Sequence, residues 1–320
     1  MENYLITGGA GFIGSHLAER LLENGHKVTV IDDLSTGLWA NIAHLESDPN
    51  FRVIIASADD ARLIAEEMPR HTRVFHLASA VGVRLVVDRP VETVQRIVRT
   101  TDVIVEAAAR YRRPVLLTST SEVYGKSNIV PFREDDDTVM GPTSKRRWAY
   151  ACAKALDEFL MLAHHAHTSL PVYIARLFNT VGPRQSGQYG MVLPRFITAA
   201  RTGKPLEVFG SGDQSRCFCS VYDVVNGLIA LMHTPAAVGQ VVNLGSQEEI
   251  SIRALAELVI KTTGSTSTVV SVPYGEAYGQ GFDDMMRRVP DLRRAEALIR
   301  WKPSRSLEQI IRDIIAVEKE

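Results

Sequence analysis

The run RRWAYACAKALDEF, which starts at Arg146, sets Tyr150 four residues ahead of Lys154. On a helix that spacing brings both side chains to one face, one turn apart. An ammonium beside a phenol favours the phenolate, lowering the tyrosine pKa until it can act as a base near neutral pH. Alone, the pair is equally compatible with an ordinary helix surface, since Tyr-x-x-x-Lys arises by chance. Whether a base is needed depends on what the rest of the chain brings beside it.

A second group of residues suited to chemistry lies at the start of the chain. NYLITGGAGFIGSHLAERLLENGHKVTVIDD has the order strand, glycine turn, helix, strand. Leu5 and Ile6 belong to a short apolar strand, Leu17, Leu21 and Leu22 have helical spacing, and HKVTVID is β-branched and apolar. Gly8, Gly11 and Gly14 form GxxGxxG at the turn between strand and helix. Such glycines allow a tight turn, a close approach to a pyrophosphate, and close packing of helix on strand. Asp32 ends the next strand, where an acid accepts hydrogen bonds from an adenosine ribose and repels a 2′-phosphate, favouring NAD over NADP. The plain alternative is a glycine-rich turn with no ligand.

The elements that must position these residues continue the alternation. RVFHLA and PVLLTST read as strands, with VETVQRIVRTTDVIVEAAARY a long helix between them. Alternating strands and helices predict an α/β fold with a doubly wound parallel (Rossmann) sheet, and a ligand at the carboxyl ends of its strands. TSTSEVYG and the Tyr150 helix then approach that same edge. Residues 1–175 are predicted to form the dinucleotide domain, and GPRQSGQYGMVLPRF to begin a smaller C-terminal substrate-binding domain.

Composition excludes several other classes. In 320 residues, 45% hydrophobic and 23% charged content is ordinary for a globular protein. The net charge of −1 argues against a nucleic-acid partner. No apolar run reaches the ~18 residues of a membrane span, and since the first strand is read as beginning at once, no signal peptide is expected. The three cysteines, Cys152, Cys217 and Cys219, form no disulfide framework or zinc pattern. CFC is expected to place two cysteines on one face of a strand, and the setting is expected to be a reducing cytoplasm. No metal site is expected: His164, His165 and His167 read as a wet helix end, and REDDD as a solvated loop.

Together TGGAGFIGSHL, HLAS, TSTSEVYG, YACAK and RLFNTVGPR resemble the extended short-chain dehydrogenase/reductase family that modifies sugar nucleotides. The resemblance runs along nearly the whole chain. It implies NAD held by Gly8, Gly11, Phe12, Ile13, Gly14, Asp32, Leu77, Tyr150 and Lys154. It makes Tyr150 the base, Lys154 the ribose-binding residue, and Thr120 the hydroxyl that bonds the oxygen on sugar carbon 4. Lys154 and a cationic nicotinamide would both depress the Tyr150 pKa. The helix VYDVVNGLIALM is similar to one that packs back on the first domain. Residues 218–240 or so are therefore expected there, leaving 176–217 and 241–320 for substrate. A homodimer through the helix around Val94–Arg110 and the Tyr150 helix is also implied. One position departs: the family often has an Asp for adenine where Ser57 stands, with Asp59 or Asp60 as substitutes.

Thr120-Ser121-Glu122 bears on the reaction. Related 4,6-dehydratases carry an aspartic acid in the middle to protonate a leaving hydroxyl, and Ser121 is a poor acid. Decarboxylases acting on UDP-glucuronate resemble this chain in Ser121-Glu122, in Arg147, Trp148, Tyr150 and Lys154, and in YGQGFDDMMRRVPD. That match makes Arg288 the arginine near the substrate carboxylate, with Asn179, Arg195 and Arg216 on the sugar nucleotide. Glu122 could position a water or shuttle a proton. The segment HLASAVGVRLVVDRP is more similar to a 4-epimerase of UDP-hexoses or UDP-uronates, which remains the alternative. A non-catalytic NAD-binding protein is the third reading.

Overall fold

Alternation along β1 (Asn3–Thr7) decides which side of the sheet each residue serves. Tyr4 and Ile6 join one buried cluster and Leu5 the other. The computed structural model describes residues 1–79, 90–187, 191–273, 285 and 287–317. After β1 come β2 (Lys27–Asp32), β3 (Phe51–Ile55), β4 (Arg73–His76), β5 (Val115–Thr120) and β6 (Val172–Leu177). Four short strands follow: β7 (Thr180–Val181), β8 (Leu206–Phe209), β9 (Ser215–Cys217) and β10 (Cys219–Ser220). Then come β11 (Gln240–Leu244), β12 (Glu249–Ser251) and β13 (Val269–Val272). Among the described residues, seven strands form one sheet in the order β11-β6-β5-β4-β1-β2-β3. All of its pairings are parallel. The chain runs outward from β1 in one direction and from β4 in the other, so a crevice opens at their carboxyl ends.

Helices cover both faces because parallel neighbours require crossovers. On one face, Leu17 and Leu21 of α1 (Phe12–Glu23) are fully buried, each contributing about 2 kcal/mol. On the other lie α2 (Ala61–Glu67), α3 (Pro90–Tyr111) and α4 (Trp148–Thr168), with Ile64, Ile104, Ala108 and Met161 in the core. Next in the chain come α5 (Val192–Arg201) and α6 (Val221–Met232). Val224, Leu228 and Leu231 of α6 share the α1 core. A further core joins α5, β8, α7 (Ile252–Thr263) and, beyond α8 (Arg293–Ile299), α9 (Leu307–Val317). No described helix is long and apolar enough to cross a membrane.

Three sequence expectations change here. Strand β11 pairs with β6 from Gln240↔Tyr173 to Leu244↔Leu177, so the sheet extends past the boundary read at 240. Cys217 and Cys219 are both buried but sit on separate strands, β9 and β10, which pair with different partners. The REDDD run also turns partly inward. Glu134 accepts the Asn243 backbone N–H at 2.9 Å, and burial pushes its carboxyl pKa up.

The chain after α8 is anchored to α6 through one carboxylate. Buried Asp223 accepts from the Ser304 amide (3.0 Å), the Ser304 hydroxyl (2.6 Å) and the Arg305 amide (3.1 Å). Its backbone carbonyl takes the Trp301 indole N–H at 2.8 Å. Asp223→Ala orphans the three donors on its carboxylate and is expected to lower unfolding stability by about 3 kcal/mol. Urea titration checks this, and an unchanged midpoint would remove the anchor.

Candidate active site

The glycine turn is built for backbone contact. Gly8 follows β1 at φ +76°, and a Cβ there would meet the Ala78 nitrogen at 2.7 Å. At Gly14 a Cβ would lie 2.2 Å from the Gly8 carbonyl oxygen, so α1 starts directly against the turn. Gly11 occupies the N-cap and offers no side chain to the first-turn amides; no acid lies in that turn. Open amides at the positive end of a helix suit a diphosphate. Gly8, Gly11, Phe12, Ile13 and Gly14 all line a cavity of about 570 Å³.

Asp32, at the end of β2, lines the same cavity. Its oxygens accept from the Ala10 and Leu34 amides, each at 2.9 Å. Burial pushes its pKa up while those amides and Arg96 pull it back. A carboxylate has about four acceptor sites, leaving capacity for ribose hydroxyls. Arg96 of α3 pairs with neighbouring Asp33 on the cavity wall. Ser57 and Ala58 also line it, but Asp59 and Asp60 are not among the lining residues. Asp60 caps α2 by accepting from the Arg62 and Leu63 amides, and Asp59 pairs with Arg99 at 3.7 Å. Their expected substitution for Ser57 is not what the structure shows.

The chemical end of the cavity lies at the close of β5. Thr120 is its last residue, and its hydroxyl accepts the Glu122 amide at 3.2 Å as a 3-10 turn, Ser121–Tyr124, begins. Thr120, Ser121, Glu122, Tyr150 and Leu77 line the wall together. The Tyr150 phenol is pushed well above its ordinary pKa, first by burial and then by the Glu122 charge, with Thr120 and Ser79 pulling the other way. In the protein without NAD, burial and Glu122 set the direction, and not the depression expected from Lys154 with a cationic nicotinamide. The Lys154 ammonium itself is 2.8 Å from the Asp157 carboxylate, and both side chains are buried. Lys154 is not among the residues lining the cavity.

Cations gather where the sugar would lie. Arg288 places Nη1 2.6 Å from Glu122 Oε1, and Arg147 places Nη2 3.2 Å from Oε2, so two arginines grip one carboxylate. Asn179, Arg195 and Arg216 line the same cavity from the segments after β6. Asn179 donates to the Cys217 carbonyl at 3.0 Å, and Arg216 to the Ser215 carbonyl at 2.8 Å. Arg195 stands 4.4 Å from the Phe209 ring centroid. Arg147 is the residue whose part sequence reasoning left unassigned; its signal was the Arg-Trp-x-Tyr spacing. Residues 274–284 and 286, which include most of the glycine-rich run before Arg288, lie outside the described residues, as do 80–89.

A family model described as GDP-mannose 4,6 dehydratase matches residues 5–314. UDP-N-acetyl-alpha-D-glucosaminuronate decarboxylase of Bacillus cytotoxicus is 42% identical over 97% of this chain and 96% of its own. UDP-glucuronic acid decarboxylase 1 of Xenopus tropicalis is 36% identical over 96% of this chain and 70% of its own. Among solved structures, UDP-glucuronic acid 4-epimerase from Bacillus cereus, in complex with UDP-glucuronic acid and NAD, superposes with TM-score 0.88. It is 27% identical and covers 99% of both chains.

Asp32 and Asp33 on the cavity wall predict discrimination against a 2′-phosphate. Fluorescence titration is expected to show NAD binding at least tenfold tighter than NADP, equivalent to ~1.4 kcal/mol. Asp32→Ser together with Asp33→Arg should narrow that gap. Equal affinities in the unaltered protein would take the selecting role from Asp32.

Proposed function

Because the chain belongs to the extended short-chain dehydrogenase/reductase family of sugar-nucleotide enzymes, we propose that it decarboxylates a UDP-uronate through transient oxidation at carbon 4. UDP-glucuronate and its 2-acetamido counterpart are the candidate substrates, following the activities carried in the names of the decarboxylase relatives. The observation that carries this reading is the Arg147–Glu122–Arg288 cluster on the wall that Thr120 and Tyr150 share. Two guanidiniums can receive a substrate carboxylate in addition to Glu122, or in exchange for it. A 4-epimerase acting on UDP-uronates is the second reading, favoured by the likeness to the Bacillus cereus structure.

The glycine cradle and Asp32 would hold NAD, which when bound supplies the hydride acceptor. Tyr150 would take the carbon-4 hydroxyl proton, with Thr120 orienting the oxygen. With a ketone at carbon 4, the carbon-6 carboxylate becomes that of a β-keto acid. The bond from carbon 5 to carbon 6 breaks, its electron pair moves into the ketone as an enolate, and carbon dioxide leaves. Arg288 and Arg147 would hold the carboxylate beforehand and stabilise the oxyanion that follows. Glu122 would return a proton to carbon 5, directly or through water. Ser121, buried beside it, has no acidic proton to expel a hydroxyl, so loss of water is disfavoured.

The outer face of α4 supports a homodimer. Cys152, Leu156 and Phe159 are exposed at i, i+4 and i+7, and Phe159 is 68% exposed. Phe159→Glu is expected to convert a dimer to a monomer in light scattering; a monomeric unaltered protein would remove the interface. Three free thiols suit a reducing compartment such as the cytoplasm.

Incubation with NAD and either UDP-uronate is expected to evolve carbon dioxide and give a product lighter by that group. Arg288→Ala should slow this by about two orders of magnitude, or ~3 kcal/mol. Arg147 still pairs with Glu122 in that variant, so the fold should survive. Interconversion of UDP-uronates with no carbon dioxide released would replace the decarboxylase reading with the epimerase one.

A further inference from the structure

We infer that Asp157 is a positioning residue, a built-in counter-ion that holds Lys154 inside the protein and sets the pH range in which Tyr150 serves as base. This rests on the proposed role of Tyr150 in oxidation at carbon 4. Tyr150, Lys154 and Asp157 fall at i, i+4 and i+7 of α4, one stripe of the helix. Asp157 is 0% exposed and Lys154 is 2% exposed, with 2.8 Å between ammonium and carboxylate. An ion pair so deeply buried is weak evidence for a stabilising role, because desolvation offsets its attraction. What the pair does is fix where the lysine charge sits and how much of its field reaches the phenol.

The surrounding groups leave that task to Asp157. On β4, the His76 ring bonds the Thr7 hydroxyl at 2.7 Å and the Thr101 hydroxyl of α3 at 3.1 Å. Burial and the Lys154 charge push His76 down to about 3, so it stays neutral through the working range. Glu158, next along α4, is committed to Arg176 at 2.7 Å. Glu122, on the cavity side, is held by Arg147 and Arg288. Arg176 is thus balanced by Glu158, and Lys154 by Asp157.

The stripe therefore carries a neutral phenol, one positive charge and one negative charge. Burial pushes the Asp157 carboxyl up while Lys154 and Thr101 pull it back; when ionised, Asp157 opposes the Lys154 charge and itself resists phenolate formation. Removing only that negative charge leaves Lys154 uncompensated and favours the phenolate. Tyr150 must lose its proton to act as base, so activity should then begin at lower pH.

Asp157→Asn keeps the shape and an oxygen for Lys154 while deleting the charge; Asp157→Glu keeps the charge. In UDP-uronate turnover, the acid limb of the kcat profile is expected to move down by about half to one pH unit in Asp157→Asn. It should stay in place in Asp157→Glu. The ultraviolet phenolate signal, taken as the difference from Tyr150→Phe at matched cofactor content, should move in the same direction. A purely structural role would lower kcat at every pH without moving the limb, and that result overturns the inference. So does a limb that moves upward. Turnover surviving in Tyr150→Phe would instead overturn the base assignment beneath it. If Asp157→Asn does not fold, Asp157→Ser, which also deletes the charge, is read in the same way: a limb that moves down supports the inference and a limb left in place overturns it.

Discussion

Helix α1 can begin where it does because no side chain separates its first turn from the end of β1, where a methyl on Gly14 would lie 2.2 Å from the Gly8 carbonyl oxygen. That backbone contact places the open amides of α1 at the point where the strand order reverses. The rest of the site is measured from it. Strand β4 lies beside β1, β5 beside β4, and β6 beside β5, so Leu77, Thr120 and Asn179 all arrive at one edge. The sheet register converts a glycine turn ending at Gly14 into a constraint on chemistry more than a hundred residues later.

Above this frame the cavity divides by charge. Asp32 and Asp33 put negative charge on its wall, where neutral hydroxyls of a ribose would be welcome and a phosphate would not. In the middle the amides of α1 offer partial positive charge without a cation. Elsewhere on the wall Arg147, Arg288, Arg195 and Arg216 contribute full charges, the first two moderated by Glu122 and Arg195 by Glu207 at 3.6 Å. Under the proposed reaction, the dinucleotide would bring the adenosine ribose to Asp32, and the separate UDP-uronate would bring its carboxylate to the arginines. A neutral hexose would leave the Glu122 arginines without a substrate charge to meet.

Much of this was legible in the sequence because its signals are local. GxxGxxG between strand and helix, Asp32 at a strand end, and Tyr150 one turn from Lys154 need only a few residues of context. The alternation of buried residues along β1 likewise follows from period two. What escaped depends on distance or on competing partners. Arg147 meets Glu122 across 25 positions of sequence, and Arg288 reaches the same carboxylate from another part of the chain. Strand β11 escaped because the sheet is completed by a segment that follows the substrate-binding insert. Asp59 and Asp60 looked available for adenine, but one caps α2 and the other pairs with Arg99.

The Tyr150–Lys154 pair shows why spacing alone misleads about reactivity. Helical geometry puts a cation near a phenol, and a lower phenol pKa follows only if that cation outweighs burial and the nearby anions. Burial raises the Tyr150 phenol most, and Asp157, three residues beyond Lys154 on the same stripe, adds a negative charge that opposes the lysine. Glu122 adds a second negative charge from the other side. Both anions resist phenolate formation in the protein alone. A positive charge bound in the cavity acts against both, and a substrate carboxylate that drew the arginines from Glu122 would alter the balance again. If Tyr150 serves as base, its readiness would therefore be tied to what occupies the cavity, through the charges of Glu122 and Asp157.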